Sequence, residues 1–175
     1  MPLDHLWATW RSAYVGRVVD SRTVSDPAAG DERSLFERIL AAGGEEGDGE
    51  AGLLHRGPTC FALLNRYPYT SGHLMVLPNR RVADLEDLTP EEFAELWSTV
   101  RDAVTALKAS LRCDAVNVGL NLGAAAGGSQ ADHLHVHCVP RWLGDANFIS
   151  VTAETRVLPI SLDEVGAALR AAWPR

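Results

Sequence analysis

The sequence predicts an α+β domain in which an antiparallel sheet packs against one long helix, with shorter helices toward the termini. Two apolar runs joined by turn residues between Cys60 and Pro78 supply a hairpin. A long amphipathic stretch opens on Thr89-Pro90-Glu91-Glu92, and His133 to Pro140 alternates imidazole with apolar side chains. With 175 residues, 46% hydrophobic and 22% charged, one domain spanning 1–175 is expected.

Leu3, Leu6, Trp7, Trp10 and Tyr14 fall at helical spacing, which predicts an amphipathic first helix packing on the domain or on a second subunit. Residues 35–42 read as a short helix. The segment 43–52 holds five Gly and four acids, so a flexible, solvated loop is expected there.

The runs Cys60–Tyr67 and His73–Pro78 flank P-Y-T-S-G and should pair antiparallel. Thr89 as N-cap, Pro90 in the first helical position and Glu92 in the third form a capping box. The helix that follows should bury Phe93, Leu96, Trp97, Val100, Val104, Leu107 and Leu111 against one side of the sheet. Val116, Val118 and Leu120 alternate with Asn117, Gly119 and Asn121 in a third strand, and a fourth begins at His133. A last helix runs from Leu162 to Trp173, with Leu162, Val165, Leu169 and Trp173 on one face. No internal repeat is present.

Composition excludes several classes. Three Cys, with no C-x-x-C pair, argue against a disulfide framework or a Cys-rich zinc site and for a reducing cytoplasm. The formal charge of 16 − 23 = −7 repels long nucleic acid, although a small polyanion can still be held by local amides and cations. Neither a signal peptide nor a membrane-spanning run is expected.

The segment His133-Leu134-His135-Val136-His137-Cys138 is the most informative. On a strand, period-two alternation sends His133, His135 and His137 to one face and Leu134, Val136 and Cys138 into the core. Zinc is a poor fit: the outer two histidines lie about 13 Å apart along an extended strand, so only an adjacent pair could share one ion. A merely solvated His-rich face is the bland alternative. Nucleophilic catalysis explains the array better. A neutral imidazole can attack phosphorus when its other nitrogen donates to a fixed carbonyl, for which a neighbouring strand is the expected source. The flanking imidazoles can then hydrogen-bond phosphate oxygens. Gly123, Gly127, Gly128 and Ser129 lie just upstream, where small residues let backbone N–H groups approach a polyphosphate. There is no G-K-[ST], so this is not a P-loop.

At these residues the sequence resembles the histidine triad (HIT) family, whose His-φ-His-φ-His-φ-φ motif is matched from His133 to Val139. Similarity to the branch holding the fragile histidine triad hydrolases and bacterial diadenosine tetraphosphate phosphorylases extends through 63–78 and 139–148, and this resemblance places the core of the domain at about 55–150. The resemblance implies a dimerising sheet domain and a nucleotidyl-histidine intermediate on His135. His133 would hold the neighbouring geometry, and His137 would contact the phosphates. His73 matches an upstream histidine near the cluster, Asn65 a nucleoside-contacting position. With Asn121, Gly127, Gly128 and Ser129 they complete the candidate nucleotide and phosphate site.

Where the hydrolases of this branch carry Gln, five residues before the first motif His, this sequence has Gly128, with Gln130 displaced by two. That departure favours inorganic phosphate over water as acceptor. The expectation is therefore phosphorolysis of diadenosine tetraphosphate to ATP and ADP, with hydrolysis of dinucleoside polyphosphates to AMP as the alternative. A nucleotide-binding module with vestigial catalysis and a zinc-binding module are the readings from other classes. No tightly bound cofactor is expected, and any Mg²⁺ would enter with the nucleotide. The partners are a dinucleoside polyphosphate, inorganic phosphate and a second copy of the chain, with no membrane.

Overall fold

Cys60–Leu64 and Leu74–Pro78 pair antiparallel, Cys60 opposite Pro78 and Leu64 opposite Leu74, as β2 and β3 of a five-stranded sheet. The computed structural model describes residues 33–42, 48–127, 130–145 and 158–174, so the expected first helix lies outside the described residues. The elements are α1 (Leu35–Ala42), α2 (Asp48–Ala51), β1 (Leu53–Arg56), β2, β3, α3 (Pro90–Leu111), β4 (Ala115–Leu120), β5 (Val136–Arg141) and α4 (Leu162–Ala172). The strand order is β1-β2-β3-β5-β4, with every neighbouring pair antiparallel.

Both central strands are buried at every position because the sheet is covered on two sides. On one face Ala62, Leu64, Leu74, Val76, Val136 and Cys138 meet Leu96, Val100, Ala103 and Leu107 of α3 and Val165 and Leu169 of α4. On the other, Phe61, Leu63, Met75 and Leu77 meet Phe36 of α1. Among the described residues no helix is long and apolar enough to cross a membrane.

The long helix starts as the sequence predicts: the Thr89 hydroxyl accepts from the Glu92 N–H, and the Glu92 carboxylate accepts from the Thr89 N–H. Its buried stripe differs from the expectation. Leu96, Val100, Ala103, Ala106 and Leu107 are buried, whereas Phe93 and Trp97 are 45% and 37% exposed. The small Ala103 and Ala106 let the helix approach the sheet along their side, which turns Phe93 and Trp97 outward into an edge-on pair.

Other boundaries moved for local reasons. Part of the expected 43–52 loop is the helical turn α2, held by the Arg56 guanidinium on the Asp48 carboxylate at 2.7 Å. β1 was not expected, because its four residues follow a glycine-rich stretch and a bulge breaks their alternation. β2 ends at Leu64, three residues short, where Asn65 begins to organise the turn. The last helix ends at Ala172, and Trp173 beyond it stacks on His55 of β1 at 5.3 Å between ring centroids. β5 starts at Val136, three residues later than His133.

Candidate active site

The turn between β2 and β3 delivers His73, the approach to β5 delivers His133 and His135, and β5 itself delivers His137. Gly72 precedes His73 with φ +88°, a conformation that glycine adopts freely, and a Cβ there would run into Leu111. His73 is thereby set at the start of β3, opposite β5, with Met75 paired to His137.

Pairing of β3 with β5 stops at Val76 and Val136, so His133 to His135 lie outside the sheet ladder. The Leu134 N–H turns instead to the Val82 carbonyl at 2.6 Å, and the Pro78 carbonyl accepts from His133 Nε2 at 2.9 Å. Alternation nevertheless persists. Leu134, Val136 and Cys138 enter the core on the α3 side. The rings of His133 and His135 meet Phe36 on the opposite face, at 5.4 and 5.6 Å. His135 and His137 stand edge to face at 4.8 Å.

A carbonyl can only accept, so these contacts assign the ring protons. His133 carries its proton on Nε2, and its Nδ1 accepts from the Ser34 hydroxyl at 2.6 Å. Burial, partly offset by the Pro78 carbonyl and Glu37, pushes its pKa down and keeps the ring neutral. Both ring nitrogens are occupied by protein, so neither is free to hydrogen-bond a phosphate oxygen as expected of a flanking imidazole.

His135 donates from Nδ1 to the His133 carbonyl at 2.9 Å. The orienting carbonyl is thus its own chain two residues back, and not one in a neighbouring strand. With the proton on Nδ1, Nε2 keeps its lone pair, and no described residue donates to it. This is the tautomer a nucleophile needs.

His137 is set the opposite way. The backbone N–H of Tyr69 and the amide of Asn65 both approach His73 Nδ1, at 3.1 and 3.4 Å. His73 Nδ1 is therefore an acceptor, its Nε2 carries the proton, and it donates to His137 Nδ1 at 3.0 Å. Burial first, and then His135, push the His137 pKa down to about 4. A neutral His137 accepting at Nδ1 must carry its proton on Nε2. Adjacent positions of the array thus present one lone pair and one N–H.

The family described as HIT domain matches residues 48–142. The chain belongs to the HIT domain family. It is 43% identical over 173 residues to the AP-4-A phosphorylase of Mycobacterium tuberculosis, covering 99% of this chain and 86% of that protein. It is 34% identical over 93 residues to the asymmetrical bis(5'-nucleosyl)-tetraphosphatase of Schizosaccharomyces pombe, covering 53% of this chain and 50% of that one. Among solved structures, the Zn-bound histidine triad family protein from Mycobacterium smegmatis matches with a TM-score of 0.63 and 28% identity, over 79% of this chain and 91% of that chain.

The remaining candidates divide. Asn65 reaches the HIT cluster, but its Oδ1 accepts from the Tyr67 N–H at 2.9 Å and its amide points at His73, so it shapes the turn. Asn121 lies just past β4, half-buried, with no described residue bonded to its side chain. Gly127 has φ +94°, and its N–H is spent on the Ala124 carbonyl at 3.1 Å, so that amide is not free for phosphate. Gly128 and Ser129 lie outside the described residues. Among the described residues no group of three or more His, Cys, Asp or Glu side chains is arranged to hold a metal ion.

Ser34, Phe36, Tyr69 and the Pro78 carbonyl escaped the sequence reading. Ser34-x-x-Glu37 has capping-box spacing and could have flagged Ser34 as the start of α1, though not its contact with His133. Nothing in the sequence marks the Pro78 carbonyl or the Tyr69 amide, because both act through the backbone.

Proposed function

We propose that this HIT protein cleaves diadenosine tetraphosphate by phosphorolysis to ATP and ADP, with His135 as nucleophile. The observation that carries the reading is the hydrogen bond from His135 Nδ1 to the His133 carbonyl, which leaves Nε2 unprotonated. In the first step Nε2 attacks the α-phosphorus of one adenylyl group, and the bond from that phosphorus to the bridging oxygen breaks. ATP leaves as an oxyanion. The adenylylated ring becomes cationic, and its Nδ1–H, already on a carbonyl, spreads that charge without reorganisation. His137 Nε2–H is placed to donate to a phosphate oxygen as charge shifts.

In the second step an oxygen of inorganic phosphate attacks the adenylyl-histidine, the N–P bond breaks, and ADP forms with His135 neutral again. The choice of phosphate over water is supported by the Mycobacterium tuberculosis relative named AP-4-A phosphorylase and by Gly128 in the sequence. Hydrolysis to AMP is the second reading, favoured by the Schizosaccharomyces pombe relative named a tetraphosphatase. Any Mg²⁺ arrives with the polyphosphate. Incubating diadenosine tetraphosphate with and without inorganic phosphate decides between them: phosphorolysis gives ADP plus ATP and requires phosphate, hydrolysis gives AMP plus ATP without it.

The same reading places the protein in the cytoplasm as a homodimer. Three free, buried cysteines suit a reducing compartment. The outer edge of β4 pairs with no described strand, which suits a second copy of the chain.

A further inference from the structure

Ser34 lies outside the HIT match, which begins at residue 48, yet its hydroxyl sits 2.6 Å from a ring nitrogen of the first motif histidine. Both groups are buried. The hydroxyl is oriented: its oxygen accepts from the Glu37 N–H at 3.1 Å, which leaves its own proton for His133 Nδ1. Glu37 is itself held, accepting from the Ser34 N–H at 2.7 Å and the Arg81 N–H at 3.0 Å. His133 is therefore gripped at both ring nitrogens, by Pro78 from β3 and by Ser34 at the head of α1. Its carbonyl in turn accepts from His135 Nδ1.

We propose that Ser34 is a positioning residue, holding His133 so that its carbonyl keeps His135 in the tautomer with an unprotonated Nε2. The proposal rests on the reading of His135 as nucleophile. Without the hydroxyl, Nδ1 of His133 is a buried acceptor with no donor, and the ring is fixed at one nitrogen only. The displacement passes through the backbone of His133 to the bond that sets His135. Misplacement of a reacting group by about 1 Å can cost on the order of a hundredfold in rate.

Ser34 also caps α1, so the test must separate the two roles. Glycine is nearly as good an N-cap as serine and alanine is poor, but neither has a hydroxyl. In the full chain, Ser34→Ala and Ser34→Gly should both lower kcat by roughly tenfold to a hundredfold, with KM within about threefold. Ser34→Thr should stay close to the parent. Nitrogen NMR of the imidazole rings should show the Nδ1–H form of His135 in the parent and in Ser34→Thr, and a mixture of tautomers in the other two. The proposal is overturned if Ser34→Gly keeps the parent kcat while Ser34→Ala loses it, since the cap alone would then matter. It is also overturned if Ser34→Thr is no better than Ser34→Gly, or if the tautomer of His135 is unchanged in both hydroxyl-free variants. Should the parent fail to turn over diadenosine tetraphosphate, the function is wrong, and the ring spectra still decide the role of Ser34.

Discussion

His73 donates from Nε2 to Nδ1 of His137 across 3.0 Å, and this bond decides which nitrogen of His137 holds a proton. The decision originates in the backbone, because the Tyr69 N–H at His73 Nδ1 cannot change its protonation state. A fixed amide thus sets His73, and His73 sets His137.

His73→Ala should scramble the tautomers of His137 and lower kcat by roughly tenfold to a hundredfold. It should also destabilise the fold by about 1–3 kcal/mol, since the fully buried His73 ring and its part-buried bond from the Tyr69 N–H are both lost. His73→Gln should fall between, because one amide offers both an acceptor for Tyr69 and a donor for His137. Steady-state kinetics with thermal melts check both effects, and a kcat unchanged in His73→Ala would refute the assignment.

His135→Asn should remove at least about 10⁴-fold of the turnover while leaving the melting temperature nearly unchanged, as expected for loss of a nucleophile. The fold tolerates the change because Leu134 and Val136, on either side, carry the packing. Mass spectrometry of acid-quenched parent enzyme should find one adenylyl group, absent in the variant. Activity within tenfold of the parent would sink the covalent route.

How much of this was legible beforehand depends on what kind of group carries it. The capping box at Thr89, the β2–β3 hairpin and the shared face of the three histidines follow from side-chain type and spacing, and the sequence carries those openly. The Phe93 and Trp97 error shows the limit: a wide apolar stripe does not say which of its edges faces the sheet until the small residues Ala103 and Ala106 choose one. The site was legible as a set of histidines but not as a set of protons. Tautomers are fixed by the carbonyls of Pro78 and His133 and the amide of Tyr69, which any residue, or for the amide any residue but proline, could have supplied.

The edge of β4, which pairs with no other described strand, makes a prediction about assembly. Val118, on that edge, is 42% exposed, and Ala115 to Leu120 contains no Lys, Pro or acid to discourage pairing. A homodimer is expected at micromolar concentration, and Val118→Lys should shift sedimentation toward the monomer by putting charge on the joined edge. A monomeric parent would refute the pairing.

Stability should fall on mild acidification, and the sign follows from His137. Its pKa is about 6.5 in an unfolded chain and about 4 in the fold, lowered by burial and then by His135. Between those values the unfolded chain binds a proton that the native protein refuses, so the free energy of unfolding rises with pH there. The contribution is fully present above about pH 6.5 and is lost as pH falls to about 4, with a limiting slope of about 1.4 kcal/mol per pH unit for one group. Burial shifts His133 in the same direction, so it adds to the slope. Asp145, held down to about 2 by Arg141, protonates only below this window and does not mimic the effect. Urea midpoints measured from pH 7 to pH 4.5 should therefore decline, and His137→Asn should flatten the decline by about one proton. Catalysis by the native protein should fall only as the pH approaches about 4, where His137 itself takes up a proton and no longer accepts from His73 at Nδ1. A midpoint independent of pH across this interval would show that the two histidines are not held neutral in the fold, and the assignment of lone pair and N–H to His135 and His137 would lose its basis.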